Sequence, residues 1–343
     1  MTFEILAQLA VSFAPVVVFL AGLMFLDSYK LVPVRTVLST VVYGCVAAGA
    51  AVLVNVAALS MEGVEARMYA RFGAPVVEEL CKAVWPFVLI RTRKVGFMVD
   101  AGVQGFAAGA GFAIVENVYY LQSLEHAGLF TWVVRGFGTA VMHGGTTAVF
   151  AIVAKNMTDI AGSEHWVRFL PALGLAAVIH SAYNHFFLPP IMNTLLILAS
   201  LPPLMLVIFQ TSERATRQWL GVGFDTDADM LNMVISGNIA ETPLGRYLHT
   251  LSTRFQPEVV VDLLCYLRIY LELAVQAKGI LMMREAGFDI PPAPDVEAKF
   301  AELSYLEKSI GRTGLLALLP FLRMSSRDLW QLHMLRSTGT AER

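Results

Sequence analysis

Four short stretches of this sequence carry ionisable and amide side chains inside otherwise apolar runs. They are APVVEELCK, with Glu78, Glu79 and Lys82; GFAIVENVYY, with Glu116 and Asn117; RGFGTAVMHGGTT, with Arg135 and His143; and VIHSAYNHFF, with His180, Asn184 and His185. Carboxylates, imidazoles and amides gathered in one place are the parts needed to hydrolyse an amide. One group activates water as a base, and others donate hydrogen bonds to the tetrahedral oxyanion. Neighbouring carboxylates can share a proton, so that one of them serves as the base. The same Glu and His types could instead hold Zn²⁺ through three protein ligands and a water. The chain has no HExxH motif, so zinc ligands would have to come from separate elements. These residue types leave both mechanisms open.

The elements that must position these residues are membrane helices. Of 343 residues, 56% are hydrophobic and 15% charged, with a mean hydropathy of +0.62, whereas soluble domains carry about 25% charged residues. Several apolar runs reach the roughly 20 residues that cross a hydrocarbon layer of about 30 Å. Seven candidate spans cover about 4–26, 36–60, 74–90, 97–121, 130–154, 168–188 and 191–209. An ionisable group at the centre of such a helix costs at least about 2.5–3.5 kcal/mol, which makes it a functional hypothesis by default.

Helical spacing turns the polar groups inward. Glu78 and Lys82 are four apart and share a face, as do His180 and Asn184. Gly102, Gly105, Gly109, Phe112 and Glu116 alternate steps of three and four, a small-residue stripe that admits a neighbouring helix and ends on a carboxylate. Gly136, Ala140, His143 and Thr147 form a similar stripe, and so do Leu173, Ala177, His180 and Asn184.

Short loops on one side hold Lys30, Arg35, Arg91, Arg93, Lys94, Lys155, Arg168, Arg214 and Arg217; those on the other hold only Arg67 and Arg71. This bias puts the N-terminus outside and the C-terminus in the cytoplasm of a multi-pass cell (inner) membrane protein. With a rise of about 1.5 Å per residue, Glu78, Glu116 and Asn184 then lie roughly 6–8 Å inside the outer boundary, and His180 roughly 12 Å. His143 falls near 20 Å unless the segment before Arg135 is interfacial. The groups converge in the outer half, where an outward-opening aqueous cavity is expected.

The formal net charge of -2, with no basic block, excludes nucleic acid as a partner. Cys45, Cys81 and Cys265 lie far apart and form no CxxC pair, which argues against a thiolate metal site or a disulfide framework. MTFEILAQLA lacks a basic n-region and reads as part of a retained first span. The expected fold class is therefore all-α: a polytopic bundle over 1–209, followed by a helical cytoplasmic domain over 210–343. In that domain helices are predicted over 257–286, 295–310 and 315–336, and LLALLPFL could rest on the bilayer.

Plainer readings exist for each residue. Glu78, Glu79 and Glu116 could be structural ion pairs, and His143 or His180, taken singly, a hydrogen-bonded core histidine. His185 turns from the face of His180 and Asn184, and Arg135 reads as a snorkelling or structural cation. His126, His165 and His249 read as loop or surface residues, and Met282 and Met283 as core packing. The rival function is a proton-coupled membrane transporter using the Glu/His/Lys cluster, although no inverted repeat or pair of broken helices supports it. A membrane scaffold or sensor acting through the C-terminal domain is a third class.

The four stretches resemble the PrsW family of intramembrane proteases, which is related to the group containing the CAAX prenyl endopeptidases. The family pattern reads here as Glu78-Glu79-x-x-Lys82, Phe112-x-x-x-Glu116-Asn117, His143, and His180 with Asn184, over about residues 74–188. The resemblance implies cleavage of a peptide bond in or near a membrane-spanning protein substrate, such as a single-span anti-sigma factor cut on its extracytoplasmic side. It gives Glu78 and Glu79 as water-activating carboxylates, with Glu116 and His143 completing the site. His180 with Asn184 would bind the oxyanion or a metal; Glu116, His143 and His180 are the candidate zinc ligands. Lys82 would pair with a carboxylate, and Asn117 would support the site. Residues 210–343 fall outside the resemblance and are expected to be regulatory or to bind a cytoplasmic partner.

Overall fold

Apolar runs of more than five helical turns leave the backbone no hydrogen-bond partner but itself, and each such run is a helix. The structure, a computed structural model, describes residues 3–123, 127–161, 165–288, 290–322 and 325–340; His126 lies outside these. Among the described residues there is no strand. The chain divides into two units, Met1–Glu213 and Arg214–Arg343.

The first unit opens with α1 (Phe3–Phe25) and α2 (Val34–Leu59). The short α3 (Ala66–Met68) and a π-helical stretch, Tyr69–Gly73, lead into α4 (Ala74–Arg91), followed by α5 (Met98–Ser123). Next come α6 (Leu129–Val133), a second π-helical stretch Val134–Ala140, and α7 (Val141–Ala161), which join end to end. A 3₁₀ turn, Trp166–Phe169, enters α8 (Leu170–Asn184), and α9 (Pro190–Ser236) begins in this unit. Helices stand at all seven expected places. Six segments are long and apolar enough to cross a membrane, and the protein is a multi-pass membrane protein. α4 is not among the six, because Glu78, Glu79, Lys82 and Arg91 fall within its 18 residues.

α5 is the centre of this unit, buried without interruption from Val99 to Ala113. Its glycines serve two neighbours. A Cβ on Gly109 would collide with the His143 carbonyl, and one on Gly105 would come within 2.5 Å of the Thr147 carbonyl, so α7 lies directly against this face. Gly111, outside the predicted stripe, does the same for α2, where Val41 and Cys45 pass at backbone distance and Gly44 of α2 meets Ala108 in return. Gly136, read as part of an α7 stripe, instead admits α1 at Val11.

The second unit contains the end of α9, then α10 (Pro243–Leu251), α11 (Pro257–Glu285), α12 (Val296–Leu318) and α13 (Ser326–Thr340). α9 does not stop where polar residues begin at 210, since polarity changes without any helix-breaking residue. α10 has no counterpart in the expected helices. Its start is the local signal Thr242-Pro243: Thr242 Oγ1 accepts from the Gly245 backbone N–H, and proline takes the first turn. Leu263, Leu267, Leu271 and Ala274 line the core face of α11. Lys278, fully buried, is paired with Asp227 Oδ2 at 2.6 Å and lies 5.0 Å from the Trp219 ring centroid. One expectation needs correction here. Met282 and Met283 lie on the exposed side of α11, because the inward face is already filled at Ile280 and Leu281. In LLALLPFL, Leu318 and Leu322 are buried in this unit's own core, while Leu316 and Leu319, 56% and 41% exposed, stand on its surface.

Candidate active site

The polar groups of α4, α5, α7 and α8 meet in one cluster. Glu79 is at its centre, with 1% of its side chain exposed. Its Oε1 accepts from Lys82 Nζ at 2.5 Å, His180 Nδ1 at 2.8 Å and Thr146 Oγ1 at 2.9 Å. Its Oε2 is buried and makes no hydrogen bond among the described residues. Lys82 therefore pairs with the residue three before it, and its Nζ also approaches His143 Nδ1 at 3.0 Å. The spacing of four had pointed to Glu78. Glu78 faces the other way: its Oε1 accepts from Asn55 Nδ2 at 3.3 Å, and its Oε2 lies 3.7 Å from His180 Nε2.

The two histidines have different proton placements. Glu79, an acceptor, fixes the His180 proton on Nδ1 and leaves Nε2 turned towards Glu78. The Lys82 ammonium makes His143 Nδ1 an acceptor, so Nε2 carries the proton and donates to Glu116 Oε2 at 2.8 Å. The rings meet edge to face, with centroids 4.8 Å apart.

The contact between Glu116 and His143 follows from helix geometry. α5 and α7 are antiparallel, with Gly105 beside Thr147 and Gly109 beside His143, so Glu116 starts about seven residues beyond His143's level. Side chains lean towards the N-terminus of their own helix, so on antiparallel helices these two lean towards each other. The apparent depth mismatch between Glu116 and His143 closes in this way. The π-helical stretch before α7 adds Arg135, whose Nη2 stands 3.4 Å from Glu116 Oε2 and whose guanidinium lies 3.7 Å over the Tyr120 ring. Asn117 supports this corner: its Oδ1 accepts from Arg135 Nε, and its Nδ2 donates to the Ser12 carbonyl of α1.

Asn184 stands elsewhere. Its Nδ2 donates to the Ala70 carbonyl at 3.1 Å, and Ser181 Oγ donates to the Arg71 carbonyl at 2.6 Å. Together they hold the π-helical stretch that precedes α4. His185 hydrogen-bonds to the Ser181 carbonyl and packs on Phe72 and Phe187, away from the cluster. His165 and His249 are exposed. The sequence reading missed Thr146, legible as the residue three after His143 on the same face, and Asn55, a lone amide in AAVLVNVAAL. Asn55 Oδ1 in turn accepts from Tyr69 at 2.8 Å.

One ligand atom each from Glu78, His143 and His180 falls within 4.8 Å of the others. A carboxylate and two imidazoles are a donor set suited to a divalent cation with three protein ligands. Glu79 behind His180 is the kind of outer carboxylate that orients a ligating histidine. Glu116, expected in this set, is instead engaged by His143 and Arg135.

Fold and cluster together define a polytopic membrane protein with carboxylates and imidazoles gathered among its helices. Residues 32–210, just over half of the chain, match the PrsW family intramembrane metalloprotease model. The chain belongs to that family and is an intramembrane protease. No curated protein and no solved structure matches it significantly.

The pairing of Glu79 with Lys82 has a measurable weight. Lys82→Met or Glu79→Gln alone is expected to destabilise the protein by about 3–5 kcal/mol, since each strands a buried partner. The double variant is expected to recover part of that loss in thermal unfolding of detergent-purified protein. A double variant no more stable than the worse single one would count against the pairing.

Proposed function

We propose that this protein hydrolyses a peptide bond in or near a membrane-spanning protein, with Glu78, Glu116, His143 and His180 as the reacting constellation. The convergence of Glu78, His143 and His180 within 4.8 Å, with Glu79 behind His180, carries this reading. Glu78 and Glu116 keep side-chain exposures of 15% and 25%, against 1% for Glu79, so they are the carboxylates a substrate and water can reach. Glu79 orients His180 and neutralises Lys82. Thr146 and Asn117 are positioning residues, and Asn184 acts on the segment entering α4.

Glu78, His143 and His180 would hold a divalent cation, with zinc suited to this donor set. Such a cation supplies Lewis acidity, polarising a carbonyl and making water a stronger acid. Glu116 then takes a proton from the attacking water and passes it to the departing amine, so the C–N bond breaks with charge balanced. For His143 to serve as a ligand through Nε2, its proton would sit on Nδ1, with Lys82 Nζ turned to Glu79 alone. In a metal-free version Glu78 is the base and the His143 Nε2–H serves the oxyanion. The transporter reading gains no support from the family match.

The charge bias of the loops supports an external N-terminus, a cytoplasmic C-terminus and seven spans including α4, in the cell membrane. The site then lies in the outer half, which suits a single-span regulator of the anti-sigma-factor kind as substrate. Residues 214–343, outside the matched region, bind a cytoplasmic partner or regulate cleavage.

Glu78→Gln is expected to abolish cleavage with expression unchanged, by at least about a hundredfold for loss of an acid–base group. Retained cleavage of a captured membrane substrate would sink the assignment. Dialysis against a chelator is expected to remove a bound metal, found by mass spectrometry, and to lower the unfolding temperature. At a hundred times its dissociation constant a metal contributes about 2.7 kcal/mol. A metal-free protein of unchanged stability and activity excludes the metal version. Deleting residues after Ser236 is expected to alter cleavage in cells or partner recovery; if neither changes, the regulatory role fails.

A further inference from the structure

α2 and α5 run in the same direction and touch most closely over one short length. Thr40 meets Gln104, Gly44 meets Ala108, and Cys45 Sγ reaches the Gly111 carbonyl at 3.4 Å. Beyond this crossing the small residues give way to larger ones, and a cavity of about 230 Å³ opens between the two helices. Ala48, Ala51 and Phe112 form its floor. Glu78 and Glu116 form its inner wall, while Val52 and Val56, 44% and 62% exposed, stand on its open rim.

We infer that this cleft is the substrate subsite beside the scissile bond, taking an extended, non-helical segment of the substrate and selecting small to medium apolar side chains. The inference rests on the protease reading above and names the substrate class of that same site.

Size decides against a helical occupant. Spread along the length of α2 that it lines, a cavity of this volume is narrower than the roughly 10 Å width of a helix with its side chains. The volume is also below the roughly 300–1,000 Å³ of sites built for whole small ligands. The lining of α2 runs from Ala48 to Leu59, its last residue. That is about 16 Å of helix at 1.5 Å per residue, the length of roughly five residues of extended chain. The cleft therefore reaches the end of a membrane helix, where a substrate's own helix would also end.

An extended chain brings carbonyls that need donors. Asn55 lines the cleft and spends one amide N–H on Glu78 Oε1 and its carbonyl oxygen on Tyr69. Its second N–H is left for a substrate carbonyl. Ala48 and Ala51, 2% and 1% exposed, set the depth available to a substrate side chain.

The test uses the full-length protein in detergent with a peptide library. Each peptide carries one apolar helical span followed by a short randomised segment, and cut positions are read by mass spectrometry. Val52→Trp is expected to lower cutting beside Leu or Phe by at least about tenfold relative to Gly or Ala, since one pocket methylene is worth that much. Val52→Ala is expected to shift the preference towards larger residues, which keeps the test decisive if the tryptophan variant fails to fold. Leu53→Trp, on the adjacent residue that is 73% exposed and does not line the cleft, is expected to match the wild type. If Glu78→Gln is dead while both Val52 variants keep the wild-type profile, the cleft assignment is overturned and the protease reading stands. If Glu78→Gln cuts like the wild type, the protease reading falls and the cleft with it. A library that the wild type leaves uncut overturns the substrate class.

Discussion

A fully buried lysine must find its counter-charge within the protein, and the first unit is arranged around that requirement. Lys82 has no exposed surface, so Glu79 must lie beside it, ionised and equally buried. In a medium of low dielectric the attraction between them is strong, and so is the penalty for stranding either one. Among the described residues Glu79 is then hydrogen-bonded through Oε1 alone, shared by Lys82, His180 and Thr146 from three helices. Because His180 must donate through Nδ1, its other nitrogen is turned towards Glu78. One ion pair thus fixes which face of each histidine is available for chemistry.

Bringing these charges within bonding distance requires helix backbones closer than ordinary side chains permit. The glycines of α5 meet that need on two sides, Gly105 and Gly109 towards α7 and Gly111 towards α2. The two π-helical stretches, Tyr69–Gly73 and Val134–Ala140, lie immediately before α4 and α7, the helices that carry Glu78, Glu79 and His143. π-helical turns inside α-helical runs are frequent at functional sites. Here one carries Arg135 to Glu116, and the other is held through its carbonyls by Asn184 and Ser181.

Much of this was legible in the sequence because burying charge in apolar helices is expensive, so Glu78, Glu79, Lys82, Glu116, His143 and His180 announced themselves. Their helices were equally legible from run length. What spacing could not give was pairing. Positions three and four apart are both neighbours on a helix, and only the placement of α7 and α8 decides that Lys82 turns to Glu79 and not Glu78. Asn184 shares a face with His180, yet it is one turn nearer the helix end and meets the Ala70 carbonyl before it could meet the cluster. Gly111 was invisible as a contact because a second neighbour on α5 breaks any single stripe. α9 ran past its predicted end because hydropathy reports the surroundings of a helix and not its continuity.

The charges of α4 also bear on how the protein is made. Each of its buried ionisable groups, presented alone to lipid, would cost about 2.5–3.5 kcal/mol; beyond the Glu79–Lys82 pair within α4 and Asn55 before it, the partners that offset this lie later in the chain. His143 follows Lys82 by 61 residues, and Thr146 and His180 follow Glu79 by 67 and 101. During synthesis α4 therefore has little reason to stay in the bilayer until α7 and α8 have entered it. Its final placement is then a late event in assembly, and the polar cluster and the settled packing of the bundle come into being together.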